Sequence, residues 1–202
     1  EISHQEGHIA AARWSSGLES RGGFLALHLS GGTTELLSVH DRFEMELLGG
    51  TGDLNAGQFI DRVGVALGLP FPAGPDLERL AGHGVPGRVR LPVAVSGLKV
   101  SFSGPCSAAM RELDSGAGHA DMAYAVLECI GRSVGAMCCE GLRFFRAQEL
   151  LVAGGVASNY IIRRILSETI EDQLPDAKVY YASPEHSRDN AVGCALLAWQ
   201  MH

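Results

Sequence analysis

The chain has 202 residues, 46% hydrophobic and 19% charged, which is a globular composition and excludes a disordered one. Its formal net charge is −7, from 16 basic and 23 acidic residues, which argues against a stand-alone nucleic-acid binder, because phosphate affinity comes mainly from Lys and Arg. The longest wholly apolar run, Ala191 to Trp199, is far short of the ~18 residues of a membrane-spanning helix, and no signal peptide opens the sequence.

The chain starts at Glu1 rather than Met, directly on a His-rich motif, and is expected to be a fragment lacking an N-terminal part. Residues 1–13 read as the end of a helix. Phe24–Leu29 and Thr34–Val39 read as the strands of a hairpin around Ser30-Gly31-Gly32-Thr33. A third strand is expected over Phe43–Leu48, closed by Gly49-Gly50. Apolar residues at helical spacing predict a helix over Ala56–Leu67, stopped by Gly68. Residues 70–105 are rich in Pro and Gly and read as irregular, with one short helix over Pro75–Ala81. A long helix follows over Asp121–Ala147, with breaks expected near Gly131, Gly135 and Gly141. Then come a buried strand over Glu149–Ala153, a helix over Asn159–Glu171, a strand over Lys178–Tyr181 and a last helix over Asp189–Gln200. Three antiparallel strands followed by helix-linked parallel ones predict an α/β fold with a mixed sheet. The five cysteines form no CxxC pair, so reduced thiols are expected, with Cys138 and Cys139 buried in a helix.

Four motifs carry chemistry. In His4-Gln5-Glu6-Gly7-His8 the two His stand one helical turn apart, a spacing that can hold one metal ion. The pattern differs from the zinc-protease HExxH, because Gln5 stands where that motif has its Glu. At roughly 100° per residue, Glu6 points about 200° away from the His pair. Two surface or capping His are the plainer reading. Ser30-Gly31-Gly32-Thr33-Thr34 brings backbone N–H groups and hydroxyls to a tight turn that can hold an anion, or is an ordinary turn. Period-2 alternation puts Ala26, His28 and Ser30 on one strand face, so His28 can look toward what the turn binds or sit hydrogen-bonded in the core.

Val152-Ala153-Gly154-Gly155 runs a buried strand into a glycine pair and a helix start, the place where open α/β sheets bind nucleotides. There Asn159 is a ribose or base ligand, or a helix N-cap. Ser187-Arg188-Asp189-Asn190 precedes the last helix. Asp189 is a cap unless the fold brings it to His4 and His8. Asp53 and Asp61, which flank Gly57, are sugar or phosphate contacts or solvated helix-start charges. Gly74 is by default a turn residue.

The order HQEGH, LHLSGGTTEL, GDLNAGQFIDRVGVALGLPFPAGP, SGLK, LVAGGVASN and SRDNAVG resembles the TsaD family over essentially the whole chain. That family makes the threonylcarbamoyladenosine modification of tRNA and was formerly described as O-sialoglycoprotein endopeptidase. The resemblance implies the actin/sugar-kinase/Hsp70-like ATPase fold, here one RNase H-like lobe with a mixed sheet and a helical insertion. It implies that residues 1–202 are a single C-terminal lobe, with an N-terminal lobe absent from this chain. Residues 1–20 would be the metal-site helix and connector, and 21–202 the lobe proper, with its insertion at about 70–147.

By the same resemblance His4, His8 and Asp189 match metal ligands for one divalent ion, iron or zinc. His28, Leu29, Ser30, Gly31 and Gly32 match the phosphate-side substrate loop, and Asp61, Gly74 and Asn159 match further substrate positions. In the archaeal branch a Tyr near the metal stands at the place of His28, which makes His28 a further candidate ligand. The substrate implied is threonylcarbamoyl-AMP, an adenine nucleotide. The implied partners are tRNA and TsaB-like and TsaE-like subunits, in the cytoplasm and without a membrane. Three departures stand out: Thr33 replaces the His of SGGHT, and Leu54 and Gln58 replace an Asp and a Glu of DDAAGEAFD. The alternatives are a non-catalytic TsaD-like partner, a metal-dependent glycoprotein endopeptidase, and another carbamoyl transferase with a small-molecule acceptor.

Overall fold

In the computed structural model the described residues are 4–20, 23–40, 43–183 and Gly193, with His4 described in its backbone only. The first helix, α1, spans His4–Ser16. Strands β1 (Phe24–Leu29) and β2 (Thr34–Val39) pair antiparallel in a register running from Phe24↔Val39 to Leu29↔Thr34. Strand β3 (Met45–Thr51) continues the meander, and α2 (Ala56–Ala66) and α3 (Gly74–Ala81) follow. Next come two short strands, β4 (Val95–Ser96) and β5 (Lys99–Val100), then α4 (Ser103–Asp114) and α5 (His119–Phe145). The described chain ends in β6 (Glu149–Ala153), α6 (Tyr160–Gln173) and β7 (Lys178–Tyr181). The sheet order is β4-β5-β3-β2-β1-β6-β7, with β6 parallel to both β1 and β7.

Alternation along β1 splits the core into two layers, because successive side chains leave opposite faces of a strand. Leu25, Leu27 and Leu29 join Leu36, Leu150 and Val152 under the helices α2–α6. Phe24 and Ala26 join Leu37, Val39, Leu151 and Ala153 on the other face, against Ile9, Ala10 and Ala12 of α1. The sheet is thus covered on both sides, as a mixed sheet with an inner parallel pair requires.

Three expectations about elements need correction. The third strand is not closed by Gly49-Gly50 but runs through them. Leu98 lies against Gly49, where any side chain would overlap its carbonyl, and Gly50 N donates to Leu98 O at 2.9 Å. The Gly pair is what lets the 95–100 hairpin join the sheet, inside a stretch read as irregular. The helix α4 has no counterpart in the reading, since its opening Ser-Gly-Pro looks like a loop. The long helix is unbroken. Gly131 and Gly135 seat Ile165 and Thr169 of α6, and Gly141 seats Leu36 and Leu25. By length and composition α5 could cross a membrane, yet its most apolar window is 83% buried inside the fold. The helix expected over Asp189–Gln200 lies outside the described residues apart from Gly193.

The four cysteines among the described residues, Cys106, Cys129, Cys138 and Cys139, are free and buried. Burial pushes the Cys129 thiol up to about 11 and the Cys138 thiol higher still. These are core side chains held as neutral thiols.

Candidate functional site

The turn after β1 is closed by Ser30 N donating to Thr33 O at 2.9 Å, which leaves Gly31 and Gly32 exposed at its tip. Helix α2 starts directly beside it. Asn55 Nδ2 donates to Gly32 O at 2.9 Å, and Ala56 N donates to the buried Thr34 Oγ1 at 3.0 Å. A side chain at Gly57 would overlap the Gly31 backbone. A helix N-terminus therefore abuts a glycine turn whose backbone is open, an arrangement suited to a phosphate.

A second glycine loop lies alongside. Strand β6 runs parallel to β1 with Ala153 level with His28, so their carboxyl ends share one edge of the sheet. Gly154, at φ +107, sits so close to the Leu29 carbonyl and the His28 ring that a Cβ there would overlap the carbonyl. Left-handed backbone and lack of space both require glycine at this position. Beyond it a single 3₁₀ turn, Val156–Ser158, leads to Asn159, whose Oδ1 accepts from Ile162 N at 3.0 Å. The buried Asn159 is thus the N-cap of α6, the plainer of its two sequence readings.

Asp61 and Gly74 are brought close to each other. Asp61 Oδ1 accepts from Ala73 N at 2.8 Å, which fixes the residue before Gly74 at the start of α3. Further along α3, Glu78 Oε1 accepts from Tyr160 N at 2.6 Å and ties that helix to the start of α6 beside Asn159. Glu78 was not singled out in the sequence, because no motif marks a carboxylate that binds a distant backbone N–H.

The metal-ligand candidates are placed only in part. The rings of His8 on α1 and His28 on β1 lie with centroids 6.0 Å apart, so His28 points to the α1 side of the sheet. The side chain of His4 and all of Asp189 lie outside the described residues. Gly193, four residues beyond Asp189, seats its backbone against the Gly7 carbonyl, where any side chain would overlap. Among the described residues no three His, Cys, Asp or Glu side chains form a metal-binding group. His8 and His28, whose rings approach from different elements, carry nitrogen donors of the kind that borderline divalent ions accept.

Asp53 is exposed just ahead of α2, as its reading as a solvated helix-start charge has it, and it also makes a set of ties. Its carboxylate accepts from Thr51 Oγ1, Leu54 N, Ser101 Oγ, Phe102 N and Ser103 N. It therefore pins the loop before α2 to the start of α4. The departures Leu54 and Gln58 also have structural roles. Leu54 is buried in the core under α2, and Gln58 Oε1 accepts from Asn55 N at 3.0 Å as the return half of a capping box.

With this geometry in hand, comparison with known proteins is specific. The family model for tRNA N6-adenosine threonylcarbamoyltransferase, TsaD, matches residues 1–196. The chain belongs to the TsaD family. Proteins of that name from two strains of Thermus thermophilus are each 37% identical over the whole of this chain, which spans 60% of their length. Among solved structures, HypF from T. kodakarensis matches with a TM-score of 0.80 at 17% identity, covering 98% of this chain and 36% of HypF. A full-length HypF in a phosphate- and nucleotide-bound form matches at 0.80 and 12% identity, covering 100% of this chain and 43% of that one. Component A of the Acidaminococcus fermentans (R)-2-hydroxyglutaryl-CoA dehydratase matches at 0.62 and 21% identity, covering 99% of this chain and 69% of that one. The fold is therefore the actin/sugar-kinase/Hsp70-like ATPase fold of the TsaD family.

Proposed function

We propose that this chain is the C-terminal lobe of a tRNA N6-adenosine threonylcarbamoyltransferase. In this reading it provides one wall of the site where threonylcarbamoyl passes from threonylcarbamoyl-AMP to an adenosine amine of tRNA. The supporting observation is the convergence of two glycine loops, 30–32 and 154–155, with the start of α2, on the sheet edge where His28 faces His8. In this reading Gly31 and Gly32 offer backbone N–H groups to the phosphate, while the N-terminus of α2 adds a fixed positive partial charge. Asp61, Gly74 and Asn159 orient the nucleoside, with Asn159 doing so while capping α6. His4, His8 and Asp189 hold one divalent ion, iron or zinc. When bound, it supplies Lewis-acid polarisation and offsets the gathered negative oxygens.

The adenosine amine attacks the carbamoyl carbon and gives up one proton to solvent, the bond to the AMP phosphate oxygen breaks, and AMP leaves. The contribution of this chain is positioning: it holds the phosphate end so that the carbamoyl carbon meets the amine. A net charge of −7 repels a polyanion, so the tRNA is gripped by surfaces outside this chain, on an N-terminal lobe and TsaB-like and TsaE-like partners in the cytoplasm.

Two measurements test this reading. His4→Ala and His8→Ala in the full chain should each lower bound metal, read by elemental analysis, and abolish transfer to tRNA in the assembled system. Unchanged metal content in both variants would overturn the site. Cleavage of a glycoprotein by the metal-loaded protein, with no transfer to tRNA, would replace the transferase by the endopeptidase.

A further inference from the structure

Helix α1 rests on the sheet mainly through Ile9, Ala10 and Ala12. Apart from the fully buried Ile9 these are alanines, so few large side chains interlock across the seam. Polar contacts therefore help to orient the helix, those of Arg13 with Leu18 O and Ser20 O among them. One of these is direct: Gln5 Nε2 donates to Glu35 Oε2 at 2.6 Å. Glu35 stands opposite His28 in the β1–β2 register, and residues directly opposite share a sheet face. Two points on one turn of α1, Gln5 and His8, thus meet two neighbouring points on one cross-strand pair, Glu35 and His28.

Gln5 occupies the place where the zinc-protease pattern has its catalytic Glu. A neutral amide cannot serve as that base, but it can donate a hydrogen bond to a carboxylate, and such bonds are short and strong. We propose that the Gln5–Glu35 bond is a latch that helps set the rotation and slide of α1, and so holds His8 beside His28. Gln5 and Glu35 are then positioning residues for the metal site. This inference rests on the metal reading given above.

The test is cobalt(II) titration of the full chain, followed by visible absorption, for wild type, Gln5→Ala, Glu35→Ala, the double variant, and the reciprocal swap Gln5→Glu with Glu35→Gln. Hydrogen exchange of α1 and α5 amides is measured alongside. Each single variant should bind cobalt about 10-fold more weakly, at the lower end of what loss of an outer-shell partner does. The cobalt band should shift, and α1 should exchange faster while α5 does not. The double variant should be no worse than either single one, since both remove the same bond. The swap restores an amide–carboxylate pair and should restore affinity and spectrum. Single variants that bind cobalt like wild type with an unchanged band, or losses that simply add in the double variant, overturn the latch alone. A wild-type chain that binds no cobalt overturns the metal reading, and with it the role given to the latch.

Discussion

Asp53 shows how one side chain can look like a ligand in sequence and act as a tie in the fold. Burial by itself raises its pKa, but hydrogen bonds from Ser101, Thr51, Leu54 and Phe102 outweigh that and hold the carboxyl well below its ordinary range. A depressed pKa in the folded state means that the carboxylate binds protons less readily there than in the unfolded chain. Its contribution is present above the unfolded value of about 4 and is lost as the pH falls through the lower folded value. Asp53→Asn should therefore cost stability at pH 7, by about 1 kcal/mol or roughly 2–4 °C in a chain of this size, because the group is solvent-screened. The gap between variant and wild type should narrow steadily as the pH is lowered from 4. Thermal melts at pH 7, 4 and 3 check this, and a gap that stays constant with pH would show that the charge of Asp53 is not what matters.

At the scale of elements, glycine was the hardest residue to interpret. Strands β1, β2, β6 and β7 were legible to the residue, because each is a short, mostly apolar run bounded by turn or polar residues, and β1, β2 and β6 are buried almost throughout. The glycines of α5 suggested breaks, yet they occur where another element comes closest. A built Cβ at Gly131 would meet Ile165 Cβ at 3.0 Å, and one at Gly135 would meet Thr169 Cβ at 3.0 Å. Local sequence cannot separate a helix-breaking glycine from a helix-packing one, because the deciding atom lies on α6. The same limit hid β4 and β5, whose pairing depends on Gly49. In the candidate site, the loops of His28–Gly32 and Gly154 were legible as glycine-rich turns. Their adjacency was not, since it depends on β1 and β6 being parallel neighbours. Gly131→Leu should lower the denaturant midpoint by an amount equivalent to about 1–3 kcal/mol, the usual cost of overpacking. Gly131→Ala should cost less than Gly131→Leu, because the roughly 1 kcal/mol gain in helix propensity opposes a tight contact with Ile165 Cβ and the Ile162 carbonyl. Equal midpoints for wild type and Gly131→Leu would show that the α5–α6 seam is loosely packed.

Across the whole molecule, α1 stands apart from the other described helices, since it alone covers its face of the sheet. The later chain returns to it twice. Ser183 N donates to Ser15 Oγ at 3.3 Å, and Gly193 seats against the Gly7 carbonyl. The helix that carries His4 and His8 is therefore held between the sheet on one side and Ser183 and Gly193 on the other. A methyl group at position 193 would overlap backbone, which cannot swing aside as a side-chain end can. Gly193→Ala should consequently destabilise the α1 layer by about 1–3 kcal/mol. Because the strain falls on one layer, hydrogen exchange should quicken in α1 while α5 keeps its protection, the pattern of a local opening rather than global loss. Gly104→Ala is the matched control. Its methyl group meets open space in α4, and it should leave α1 unchanged. If Gly193→Ala exchanges like this control, Gly193 does not brace α1. The helix would then owe its placement to the sheet, the Gln5–Glu35 bond and the contacts of Arg13 and Ser15.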